Sequence, residues 1–218
     1  MQKRPIPPPE SQISKRLLGG AVNDQLHIDV AFGGVGVRAD LVGVVGKRFS
    51  VSLGCIDANG DVLVGVVYDP NFDECFRAVR GQGVTCNGER ISVSSAPRLR
   101  DSLAASGFPG DLRATDNNTV EWAAFVSRCQ GMCRMGSAAL DLCYVASGRF
   151  DLYWEHGLAP WDMCAGVLIV REAGGKVTDY LGQTFYVHKR GGLLASNGKI
   201  HDEAVSVMES VRKERANQ

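Results

Sequence analysis

From residue 49 onward the chain alternates apolar and polar positions in short runs. FSVSLGCID reads as a strand, ANG as a turn, and DVLVGVVYDP as the returning strand of a β-hairpin. DECFRAVRG and VTCNGERISVS continue the meander, with Asn87–Gly88 marking the next turn. After SLAASGF the apolar period lengthens. NNTVEWAAFVSRC, about 117–129, reads as a helix capped by Asn or Thr with Glu121 in its first turn. Further helices are expected at 137–147 and 161–173, strands at 150–155, 176–180 and 193–196, and a closing helix over IHDEAVSVMESVRK. Antiparallel strands followed by alternating helices and strands predict a layered α+β fold.

The helix WDMCAGVLIVREAGG carries the first candidate chemistry. Pro160 suits its first turn, it is apolar nearly all round until Arg171–Glu172, and Gly174–Gly175 ends it as a left-handed cap. Asp162 falls where a carboxylate meets the positive end of the helix dipole. The plain reading of Asp162 is an N-cap worth about 1 kcal/mol. A second acid, Glu155, ends the strand before it, with the turn HGLAP between. Strand end, turn and helix start bring both carboxylates toward one cleft, although an exposed strand-end charge would also account for Glu155. Upstream, Gly136–Ser137 opens the helix GSAALDL, either as a start built of small residues or as a source of free N–H donors for phosphate or hydroxyl oxygens.

Composition narrows the partners. Lys and Arg total 24, as do Asp and Glu, so neither nucleic acid nor an anionic membrane is an expected partner. Seven cysteines, an odd number with no signal peptide, read as buried reduced thiols in a cytoplasmic setting. Cys129 and Cys133 lack a second pair to complete a zinc site. His27, His156, His188 and His201 are too scattered to form a cluster.

Residues 1–48 stand apart. They begin MQKRPIPPPESQISKR, with proline clustered at 5–9 and basic residues in excess, and are expected to be a loosely ordered N-terminal segment before a domain at 49–218. The Val- and Gly-rich stretch 30–46 is too short to span a membrane.

GSAALDL at 136–142, YWEHGLAPWD at 153–162 and the AGVLIVREAGG that follows resemble the inositol monophosphatase family of magnesium-dependent phosphomonoesterases. GVVYDP at 65–70 and VRGQGVTCNGERISVS at 79–94 extend the resemblance back toward Phe49. It implies a five-layer α-β-α-β-α sandwich, here N-terminally incomplete, and a homodimer. It also implies Mg2+ at Asp162, a sugar or cyclitol hydroxyl at Glu155, and substrate contacts from Gly136, Ser137, Ala138 and Ala139. The implied substrate is a small phosphorylated polyol or sugar such as inositol 1-phosphate.

One departure matters. The family supplies most of its metal site from an earlier Glu-Glu pair and an Asp-Pro-Leu/Ile-Asp-Gly-Thr loop. Neither occurs here; HIDVAFGGVGVRADLVGVVGKRF stands in their place. The abrupt onset of family-like sequence at Phe49 favours an alternative product of a longer gene, or an incorrect gene start, over a divergent N-terminus. Magnesium takes one or two carboxylates with waters and substrate phosphate. A two-metal phosphatase needs acids shared between ions about 4 Å apart. Asp162 alone anchors part of one such site, so these residues are expected to turn over phosphate esters poorly, or to serve as a non-catalytic binding or subunit protein. The hairpin 49–68 is also expected to leave an apolar sheet face and an unpaired edge open, favouring marginal stability or dimerisation through that face.

Overall fold

The structure, a computed structural model, describes residues 27–32, 35–44, 48–108, 118–187 and 191–216. Seven strands form the first sheet as an antiparallel meander in chain order: β1 (His27–Phe32), β2 (Val35–Val44), β3 (Arg48–Ile56), β4 (Val62–Asp69), β5 (Glu74–Val79), β6 (Gly83–Cys86) and β7 (Glu89–Arg90). The second sheet runs β11 (Lys176–Asp179), β12 (Gly192–Ser196), β10 (Leu152–His156), β8 (Leu103–Ser106) and β9 (Gly131–Cys133). In it β8 lies parallel to both neighbours and the remaining pairs are antiparallel. The helices are α1 (Thr119–Val126), α2 (Ala138–Ala146), α3 (Pro160–Glu172) and α4 (His201–Ala216).

Strand composition follows the number of covered faces. The second sheet is packed on both sides, so its strands read as nearly continuous apolar runs. Tyr153, Leu193 and Ala195 face one core, shared with α2, α3 and the first sheet. Leu152, Trp154 and Leu194 face the other, shared with α1 and α4. In the first sheet burial alternates along β4: Val67 points inward and is fully buried, whereas Val64 on the outer face is 37% exposed. The layers are therefore sheet, α2–α3, sheet, α1–α4. These are four of the five expected; a helical layer over the outer face of the first sheet is not among the described residues.

Helix α3 is apolar all round because it lies between two sheets, with Met163 to Val170 buried. It approaches the first sheet so closely that a Cβ on Gly65 would stand 2.7 Å from the Ala165 carbonyl oxygen. The helix ends in a Schellman turn: the Gly175 N–H donates to Val170 O at 2.9 Å and the Gly174 N–H to Arg171 O at 3.1 Å, with Gly174 at φ 86°. At the last residue of the helix, Glu172 accepts the N–H groups of Gly81 at 2.8 Å and Gly83 at 2.7 Å, tying this end of α3 to the β5–β6 turn.

Several expectations need correction. Residues 27–32 and 35–44 form strands, and β2 pairs along the whole of β3. The 49–68 hairpin consequently has no open edge at β3, although its outer face stays partly uncovered at Val64. Residues 1–26, Glu10 and Asp24 among them, lie outside the described residues, as does His188. The meander expected over 84–94 turns at Asn87–Gly88 as expected, but its return is only Glu89–Arg90, after which the chain leaves the sheet. Strands β8 and β9 add to the expected set. Asn118 occupies the N-cap of α1 but adopts φ 63° and does not cap it. Its amide instead donates to Gly107 O at 2.9 Å and its carbonyl accepts from Tyr180 Oη at 3.2 Å. Of the seven thiols, all free, only Cys143 and Cys164 are buried; Cys55, Cys75, Cys86 and Cys133 are half-buried on strands, and Cys129 is half-buried in the turn after α1.

Candidate active site

The starts of α2 and α3 and the end of β10 carry every residue the sequence singled out. Asp162 lies in the first turn of α3, at its third position and not at the cap, because Ala159 is the N-cap. Asp162 Oδ2 accepts the Ala159 N–H at 3.0 Å, and the Asp162 N–H donates to Ala159 O at 3.0 Å. This is half of a capping box, since alanine has no side chain to reciprocate. The carboxylate is half-buried, not sealed against its own backbone.

Glu155 sits near the end of β10, half-buried, and its Oε2 accepts a 2.5 Å hydrogen bond from Tyr153 Oη. Tyr153 and Glu155 share a strand face at period two, so a fully buried phenol supports the acid from below. Gly107 presses on the same carboxylate: a Cβ there would lie 2.0 Å from Oε2. Burial pushes the Glu155 carboxyl up to about 7. The Tyr153 hydroxyl works against that rise, the negative charge of Asp162 adds to it, and Arg134 opposes it. Asp162 and Glu155 therefore sense one another across the turn, as their spacing predicts. Burial, then the charges of Glu155 and Asp141, holds Tyr153 well above the ordinary phenol range, so it remains a donor.

The turn at 136–139 is less open than expected. Gly136 takes φ 85°, a left-handed conformation that suits glycine. Ser137 is the N-cap of α2, but its hydroxyl turns to the first sheet and shares a 3.1 Å hydrogen bond with Ser50 Oγ. Ser137, Ala138 and Ala139 are all buried. Their side chains are packing groups. What this turn can offer a ligand is the set of first-turn N–H groups of α2.

Sequence reasoning missed Tyr153, Gly107 and Arg134. Tyr153 had a signal, its place two residues before an acid on one strand; Gly107 had none, because its contact spans 48 residues of chain that nothing local announces.

No group of three or more His, Cys, Asp or Glu side chains able to hold a metal occurs among the described residues. The acids present suit a single, largely hydrated Mg2+ at Asp162 completed by waters and a ligand's phosphate oxygens. They do not make up the shared ligand set of a two-ion clamp. The ion would supply positive charge against a phosphate group. The protein's own groups would orient the ligand: Glu155, its carboxyl pushed up to about 7, can donate to or accept from a hydroxyl, with Tyr153 holding it in place.

Comparison with known proteins gives this geometry a setting. A sequence profile of the inositol monophosphatase family matches residues 44–213. The inositol-1-monophosphatase of Synechocystis sp. is 48% identical over 141 residues, 64% of this chain and 49% of that protein. Nus factor SuhB of Pseudomonas aeruginosa is 42% identical over 155 residues, 70% of this chain and 56% of that protein. The solved structure of inositol monophosphatase from Anabaena (Nostoc) sp. PCC 7120 superposes with a TM-score of 0.72 at 46% identity, covering 74% of this chain and 64% of that one. The chain spans about half the length of the curated relatives it matches.

Proposed function

This chain belongs to the inositol monophosphatase family, and on that footing we propose that it acts as a magnesium-dependent phosphomonoesterase on a small phosphorylated polyol, with inositol 1-phosphate the test substrate. What supports the reading is the placement of Asp162 in the first turn of α3 and Glu155 near the end of β10, where burial first, and the charge of Asp162 after it, push the Glu155 carboxyl up to about 7. In this reading Asp162 holds Mg2+, the first turn of α2 at Gly136, Ser137, Ala138 and Ala139 presents N–H groups to phosphate, and Glu155 engages a ring hydroxyl. The same proposal includes a homodimer formed over the outer face of the first sheet.

A second reading is a binding or subunit protein that retains the ligand cleft without turnover. It is favoured by the sequence, which contains neither a Glu-Glu pair nor an acid-Pro-x-acid-Gly-Thr run. The relatives named Nus factor SuhB belong with this reading, and their name gives no support to the expectation that nucleic acid is excluded as a partner. No helix among the described residues is long and apolar enough to cross a membrane.

Phosphate release from inositol 1-phosphate, with and without Mg2+, separates the two. Mg2+-dependent release abolished by Asp162→Asn supports the enzyme. Mg2+-dependent binding without release assigns the second reading, and neither binding nor release removes both.

A further inference from the structure

On the face of β10 opposite the acid pair lies a cleft of about 250 Å3 between α1, α4 and the β11–β12 connection. Its apolar walls are Leu181, Met208 and the rings of His156 and Tyr180, whose centroids are 6.3 Å apart and tilted by 52°. Most polar groups of the wall are already matched to one another. Glu121 receives Arg215 Nη2 at 2.9 Å, and Tyr180 Oη donates to Asn118 Oδ1. Arg212 differs: it lines the cleft, is exposed, and has no hydrogen bond or ion pair among the described residues.

From this arrangement we infer a second ligand site, distinct from the acid pair, that takes a small aromatic anion. A planar guanidinium with its five donors uncommitted matches a carboxylate or phosphate in two-point fashion. Two tilted rings and two aliphatic side chains provide a slot for a flat apolar body, and a cleft at the small end of the ligand-pocket range limits that body to about one ring. The Glu121–Arg215 pair cancels its own charge, so Arg212 sets the sign of the site. Backbone N–H groups of α2 and the Asp162 carboxylate play no part, since they lie on the other face of the second sheet.

The five methionines make the site readable by methyl NMR of the 218-residue chain. Met208 lines this cleft, whereas Met163 is buried beside Asp162. Titration with benzoate and, separately, phenyl phosphate is expected to move the Met208 methyl resonance saturably in at least one arm. Inorganic phosphate, lacking a ring, is expected to leave it in place. Arg212→Ala should weaken the interaction by about tenfold, and Asp162→Asn should leave it unchanged. The other methyl resonances report whether Arg212→Ala remains folded. A static Met208 resonance in both arms, a shift at Met163 instead, a shift with inorganic phosphate alone, or equal binding by Arg212→Ala would each overturn the site. Because Asp162→Asn is a separate arm, loss of this site and loss of the phosphatase reading give different results.

Discussion

The two sheets differ in what covers them. The second is buried on both faces, against α2–α3 on one side and α1–α4 on the other, and its inner strands β8, β10 and β12 are mostly apolar. The first has one packed face and an outer face where Val64 and Val79 are more than a third exposed. The proposed site residues lie on the second sheet and on the helices between the sheets: Glu155 on β10, Asp162 on α3 and Gly136–Ala139 at the start of α2. None of them comes from the first sheet. The fully packed side of the molecule thus holds the ligand-facing half of the proposed site in place. The partly covered side contributes hydroxyls such as Ser50 but no acid to it.

The largest test of that contrast is a pair of truncations. Trp154→Ala, which empties the doubly covered sheet, should cost about 3–5 kcal/mol in urea unfolding. Val64→Ala on the open face should cost under about 1 kcal/mol. Equal losses would mean that the outer face is covered as tightly as the inner one. Next, Gly65→Ala drives a methyl toward the Ala165 carbonyl and should cost about 1–3 kcal/mol, because backbone on both sides must move. A neutral effect would show that α3 does not sit rigidly on the first sheet.

Glu155→Gln probes the site through pH. The Glu155 carboxyl, ordinarily near 4.5, stands at about 7 in the fold. Below pH 4.5 it is protonated in both states. Between 4.5 and 7 the unfolded chain releases the proton while the native state retains it, so native stability falls as pH rises. Replacing the acid by a neutral amide removes that loss. Relative to the parent, the variant should gain on the order of 1–3 kcal/mol across this window. A pH-independent difference would place Glu155 in solvent. The smallest expected effect is on association: Val64→Thr with Val79→Thr should lower dimer content in light scattering while leaving the melting temperature nearly unchanged, and unaltered dimer content would exclude this face as the interface.

Much of this was legible in the chain. The apolar helix from Trp161, its Gly174–Gly175 stop and the meander from Phe49 follow from local period and turn chemistry. The short turn between them also places Glu155 and Asp162 close enough for the charge of one to act on the other. What local pattern misplaced was partner choice. Asp162 caps from the third helical position because Ala159, a residue without a capping group, takes the cap. The Ser137 hydroxyl is drawn to Ser50 on another sheet, and Asn118 spends its amide on Gly107 and its carbonyl on Tyr180. The support of Glu155 by Gly107 depends on the parallel pairing of β8 with β10, a register that neither strand states alone.

The central claim, that the acids at 155 and 162 form a working phosphate-ester cleft, is tested most directly by calorimetric titration of inositol 1-phosphate into the purified chain. Binding should require Mg2+, disappear in Asp162→Asn and weaken in Glu155→Gln. Binding of equal strength without Mg2+, or unchanged in Asp162→Asn, would contradict it.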